Sequence, residues 1–87
     1  MTLTQLKYVL AIAKAGTINA AAKQLFISQP TLSSAVKELE AELGISLFNR
    51  TSKGVEPTAD GEEFLSYARQ VVMQTDLIEE RYLGTAP

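Results

Sequence analysis

The chain of 87 residues has no cysteine and no histidine. Without cysteine there is no disulfide framework and no thiolate metal site. Without histidine, the commonest general base and the commonest metal ligand are both missing. No apolar run approaches the roughly 20 residues needed to cross a bilayer. The start, Met1-Thr2-Leu3-Thr4, lacks the charged segment and following apolar run of a secretory signal. The expectation is a cytoplasmic protein with no membrane partner, no metal and no cofactor. One more absence is local: residues 1–37 contain no carboxylate, only Lys7, Lys14, Lys23 and Lys37.

What is present fits one small globular domain with an appended element. The hydrophobic fraction is 46% and the charged fraction 21%, so a disordered chain is not expected. The net charge of −2 argues on its own against nucleic-acid binding. Its distribution reverses part of that argument. Residues 61–87 hold Arg69 and Arg81 against Glu62, Glu63, Asp76, Glu79 and Glu80. Salt screens charges beyond about 8 to 10 Å, so the local balance matters more than the total.

The organising stretch is Thr17 to Gly44. Ile18, Ala21, Ala22 and Leu25 repeat at i, i+3, i+4, i+7, one face of a short helix. Leu32, Ala35, Val36, Leu39 and Leu43 do the same for a longer one. Only Phe26, Ile27 and Ser28 join them, so the helices must cross with their apolar faces together, as in a helix-turn-helix. The opposite side of the second helix carries Pro30, Ser34, Lys37 and Ala41, flanked by Ser33 and Glu38. Its first two turns are small, hydroxyl-bearing or cationic. Such a surface suits base edges and phosphates in a major groove. Glu38, Glu40 and Glu42 follow and are read as solvent or packing contacts, because no pocket is evident to shift their pKa values.

The remainder flanks this stretch. A first helix over about Thr4–Ala15 is predicted from Leu6, Val9, Leu10 and Ala13, capped by Thr2 or Thr4 and ended by Gly16. Thr17 caps the second helix; Ser28 caps the third, with Pro30 in its first turn. Leu47–Arg50, the turn Thr51–Gly54 and Val55–Pro57 read as a small β-hairpin, with Arg50 and Lys53 projecting. Arginine suits phosphate or minor-groove contact through its planar fork; an ordinary solvated loop is the plain alternative. Thr58 caps a last helix running to about Leu83. Its Phe64, Ala68, Val71, Thr75, Ile78 and Tyr82 average about 3.5 residues apart, the spacing of a coiled-coil seam. That spacing predicts a partner helix, most simply from a second copy. Gly84-Thr85-Ala86-Pro87 reads as the start of a linker.

These residues resemble the N-terminal DNA-binding domain of LysR-type transcriptional regulators. The resemblance rests on Ser28-Gln29-Pro30-Thr31-Leu32-Ser33, Leu39-Glu40, Leu43-Gly44, Leu47-Phe48-x-Arg50, Gly54, Pro57-Thr58 and Gly61. It implies a mainly α fold: a winged helix-turn-helix of three helices plus a small β-hairpin wing, then a long linker and dimerisation helix. The implied division is 1–58 for the DNA-binding unit and 59–87 for the linker helix, with the effector-binding domain absent. The resemblance puts a recognition helix over about 29–43 in the major groove and a wing at 50–54. Gln29, Pro30, Ser33 and Ser34 would meet bases or the groove edge, and Thr31 and Lys37 phosphates or base edges. Arg50 and Lys53 would serve the wing, with Thr17 and Asn19 near the backbone. The implied partners are a palindromic or pseudo-palindromic duplex and a second copy, with any small-molecule effector held by the missing domain. Many members carry arginine where this chain has Ser34, which removes one bidentate guanine contact.

Two classes of function follow. The favoured one is sequence-specific binding of double-stranded DNA in transcription regulation. The rival is a protein-interaction module whose long helix is the working surface. Catalysis is not expected, because no nucleophile–base pair or metal cluster can be assembled from these residues.

Overall fold

The computed structural model describes residues 1–84. Four helices and one hairpin follow in the order α1 (Leu3–Ala15), α2 (Ile18–Leu25), α3 (Gln29–Leu43), β1 (Phe48–Thr51), β2 (Gly54–Pro57) and α4 (Ala59–Leu83). This is the winged helix-turn-helix with a long last helix that the sequence predicts. Most of the predicted linker start, Thr85-Ala86-Pro87, lies outside the described residues.

Local chemistry sets the helix boundaries. Thr2, rather than Thr4, caps α1 through a capping box: its hydroxyl accepts from the Gln5 N–H at 3.1 Å, and Gln5 Oε1 accepts from the Thr2 N–H at 2.9 Å. Thr17, Ser28 and Thr58 cap the other three helices with the hydroxyl alone, without the reciprocal bond. Gly16 and Gly44 end α1 and α3 in the left-handed conformation. The exception is α2, which ends on Phe26 at φ 58°. A side chain there costs about 1–2 kcal/mol, and the ring is 94% exposed, so packing returns little. Phe26→Gly is therefore expected to stabilise the domain by about 1 kcal/mol, read as a rise in Tm of several degrees. A fall in Tm would mean that the ring makes a stabilising contact.

The core lies where α1, α2 and α3 meet. Val9, Ile12, Ala21, Ala22, Leu32, Val36, Leu39, Leu47 and Leu65 form one buried cluster. The apolar faces of α2 and α3 meet beneath the turn, as their spacing requires. Burying a Leu or Ile side chain contributes about 1.5–3 kcal/mol, so this small set supplies most of the driving force.

The wing is fastened at both ends. The hairpin pairs Phe48 with Pro57, Asn49 with Glu56, Arg50 with Val55 and Thr51 with Gly54. The Val55 N–H donates to the Gly16 carbonyl at 2.9 Å, tying β2 to the α1–α2 turn. The Thr58 N–H donates to the Leu47 carbonyl at 3.0 Å, and the Thr58 hydroxyl donates to the Ser46 carbonyl at 2.6 Å. The cap of α4 therefore also holds the entry to β1.

The long helix divides in two. Its first half contributes buried Gly61, Leu65 and Ala68, and α4 packs along α1. This corrects part of the predicted seam. Ala68 is 2% exposed and Phe64 packs partly buried against the core, so both are covered within one chain. Val71, Ile78 and Tyr82 of that seam are exposed, and Thr75 is half-buried. Tyr67, which the seam spacing omits, is exposed beside them. Beyond Ala68 the helix runs on with a largely uncovered apolar stripe.

Candidate nucleic-acid interface

The exposed face of α3 is built by its first turns. The Ser28 hydroxyl accepts from the Thr31 N–H at 3.2 Å and lies 2.7 Å from the Thr31 hydroxyl. This pair fixes the helix start and orients Thr31 outward. Gln29, Pro30, Thr31, Ser34 and Lys37 are all exposed, and Ser33 is half-buried. Pro30, Thr31 and Ser34 line one shallow surface with Ala35 and Glu38. The first carboxylate along the helix is Glu38, beyond the first two turns.

A second cluster joins α3 to the wing. A cleft of about 110 Å³ is lined by Ile18, Ser33, Val36, Lys37, Glu40, Phe48, Arg50 and Val55. It brings Arg50 of β1 beside Ser33 and Lys37, which lie one turn apart on α3. Two cations and a hydroxyl at one mouth can neutralise and bind a phosphate. Lys53 stands apart at the hairpin tip, where its N–H donates to the Thr51 hydroxyl at 3.2 Å. It is exposed, as is Arg50.

Thr17 and Asn19 separate in kind. Asn19 is exposed on α2. Thr17 is half-buried, and its hydroxyl accepts from the Ala20 N–H at 3.0 Å. Its role in holding α2 is thus visible in the monomer itself.

Two features go beyond the sequence reading. Of the two roles expected for Glu40, solvent or packing contact, the structure shows the second: its Oε2 accepts from the Leu47 N–H at 2.6 Å. A charged acceptor on a backbone donor makes one of the stronger hydrogen bonds. It ties the last turn of α3 to Leu47, the residue before the strand that carries Arg50, and so holds the wing against the helix. No local pattern could reveal a bond spanning a loop. The other is the close approach of Gly54 to the α1–α2 turn. A Cβ built on Gly54 would overlap the Gly16 carbonyl oxygen, and φ there is 142°. Both the space and the backbone demand glycine.

Among the described residues there is no group of three His, Cys, Asp or Glu side chains placed to hold a metal. Among the same residues no helix is long and apolar enough to cross a membrane.

Comparison with known proteins follows the same outline. The sequence profile described as "Bacterial regulatory helix-turn-helix protein, lysR family" matches residues 3–62. HTH-type transcriptional regulator ClcR of Pseudomonas putida is 44% identical over 81 residues, covering 93% of this chain and 28% of ClcR. HTH-type transcriptional regulator BudR of Klebsiella aerogenes is 42% identical over 86 residues, covering 99% of this chain and 60% of BudR. The chain thus spans less than two thirds of either relative. Among solved structures, the CbnR_DBD-DNA complex superposes with a TM-score of 0.88 at 40% identity, covering 97% of both chains. The BenM_DBD/benA site 1 DNA complex gives 0.88 at 36% identity, covering 93% of this chain and 91% of that one.

Proposed function

The chain belongs to the lysR family of bacterial regulatory helix-turn-helix proteins, and from that premise we propose that it binds double-stranded DNA sequence-specifically as a homodimer to regulate transcription. It acts by binding, not catalysis, in the cytoplasm. One observation carries the reading: the first two turns of α3 offer an exposed surface with no carboxylate of their own, bordered by Glu38 on one side and by Lys37 and Arg50 on the other. Two close structural neighbours are complexes with DNA, which supports the same reading.

In this reading residues 1–58 hold the DNA-contacting elements and 59–87 the linker and dimerisation helix. Gln29, Pro30, Ser33 and Ser34 meet base edges, and Gln29 is suited to bidentate pairing with adenine. Thr31, Lys37, Arg50 and Lys53 meet phosphates or, from the wing, the minor groove. Asn19 and the α2 N-terminus beside Thr17 approach the backbone. Val71, Ile78 and Tyr82, with Thr75 at the edge, form the dimer contact. Two copies on a palindromic or pseudo-palindromic operator supply affinity that one weakly charged domain lacks. A small-molecule effector site belongs to the further length of the relatives, not to these residues.

Selection from a random duplex pool, then titration on the selected site and a scrambled one, tests this. The expected result is clear preference for the selected site, with log affinity falling by about 0.9 per log of salt for each phosphate neutralised. Lys53→Ala is expected to weaken binding to all sequences and lower that slope by about 1, while Gln29→Ala relaxes preference at one position. Equal affinity for both duplexes would defeat the proposal.

A further inference from the structure

The outward face of α3 is centred on Ser34. At about 100° per residue, Pro30 and Ala41 lie within about 40° of it on one side, and Glu38 about 40° away on the other. The buried Leu32, Val36 and Leu39 lie opposite. Glu38 is thus nearer the middle of the face than Lys37, which stands about 60° from Ser34. It is exposed, and it shares one shallow surface with Pro30, Thr31, Ser34 and Ala35. Ala41, one turn further along, is too small to screen it. The fold itself makes no use of this carboxylate. Among the described residues Glu38 takes part in no hydrogen bond and no ion pair. Its neighbours three and four residues along the helix are Ser34, Ala35, Ala41 and Glu42, none of them cationic. Glu42 carries the same charge, a pairing that slightly destabilises a helix.

We propose that Glu38 reads a cytosine in the major groove, roughly two base-pair steps beyond the base that Ser34 faces. This rests on the DNA-binding reading above. One helical turn carries the contact about 6 Å along the axis, against about 3.4 Å per base pair. An ionised carboxylate only accepts hydrogen bonds, and phosphates of its own sign flank the groove. It is tolerated where a base edge donates to it. The major groove offers two such donors, cytosine N4 and adenine N6. Adenine N6 has an acceptor on each side, its own N7 and thymine O4, and both repel a carboxylate. Cytosine N4 has one on a single side, guanine O6. A pair presented by its guanine or thymine edge meets Glu38 with acceptors. The residue therefore acts on discrimination more than on affinity, by making the wrong pairs costly.

Selection from a random duplex pool, run in parallel on wild type, Glu38→Ala and Glu38→Gln, tests this. Wild type is expected to fix cytosine at one position, where exchanging the C·G pair for G·C lowers affinity roughly 10- to 100-fold. Glu38→Ala is expected to lose the preference at that position alone, and to bind duplexes with the wrong base there more tightly than wild type does. Glu38→Gln keeps the size and loses the charge; its amide pairs bidentately with adenine, so the preference should move toward adenine. Thermal melting of both variants at or above wild type establishes that the fold is intact. If the alanine pool keeps the cytosine, or if alanine tightens binding to every duplex by one common factor, Glu38 does not read a base and the proposal is overturned. If wild type enriches no sequence, the DNA-binding reading itself fails and this proposal with it.

Discussion

Gly61→Ala is expected to destabilise the domain by about 2–3 kcal/mol, a fall in Tm of roughly 10–20 °C, measured by thermal melting. Gly61 is buried in the first turns of α4. A Cβ there would overlap the Leu47 carbonyl oxygen, a backbone atom that cannot rotate away. That carbonyl also accepts the Thr58 N–H, so displacing it loosens the α4 cap. Helix propensity works in the opposite direction, favouring alanine by about 1 kcal/mol. The steric term wins because protein interiors have few voids and backbone is the obstacle. Gly44→Ala is the control: a Cβ at Gly44 meets nothing within 4 Å, and only the positive φ costs, about 1–2 kcal/mol. If Gly61→Ala melted at or above wild type, the close approach of α4 to Leu47 would be wrong.

Ser34→Asp is expected to lower affinity for the selected duplex by roughly 30- to 1,000-fold, equivalent to about 2–4 kcal/mol. Ser34 is exposed on the α3 surface shared with Pro30 and Thr31. If α3 lodges in the major groove as proposed, a carboxylate there must lose water against base edges and faces phosphates of the same sign on either side. Because the position is exposed, folding stability should move by no more than about 0.5 kcal/mol. Ser34→Asn, matched in size but neutral, separates charge from bulk and should cost far less. Ser34→Arg should go the other way, adding a contact worth about 1–3 kcal/mol at a guanine. Fluorescence anisotropy with the three variants measures the series. Asp and Asn variants of equal affinity would show that this face does not meet DNA.

Much of the fold is legible because its signals are local. Thr17, Ser28, Thr58, Gly16 and Gly44 each act on backbone groups within a turn of themselves, and all cap where the sequence places them. The hairpin is legible from its turn residues, with strand ends shifted by one residue. What the sequence hides is contact across distance. The Glu40–Leu47 bond, the Gly54–Gly16 approach and the Gly61–Leu47 approach depend on how finished elements dock. The seam on α4 is only partly legible for a related reason. Apolar spacing marks a face that must be covered, but not whether α1 or a second copy covers it. Phe64 and Ala68 are covered at home. A straight helix also drifts about 20° per heptad from a strict 3.5-residue repeat, so the exposed stripe takes in Tyr67.

At the interface, exposure of Gln29, Pro30, Thr31, Ser34 and Lys37 follows directly from the helical period. The meeting of Ser33 and Lys37 with Arg50 does not, since it needs the wing folded back beside α3. The left-handed backbone of Phe26 is likewise invisible in the sequence, where Phe26 reads only as part of the link between α2 and α3.

The most direct measurement of whether α3 and the wing form the DNA-reading surface is a heteronuclear NMR titration of the chain with the selected duplex. Amide shifts concentrated in residues 28–37 and 50–53, and attenuated with a scrambled duplex, are the expected result. Shifts confined to residues 58–83, or none at physiological salt, would contradict it.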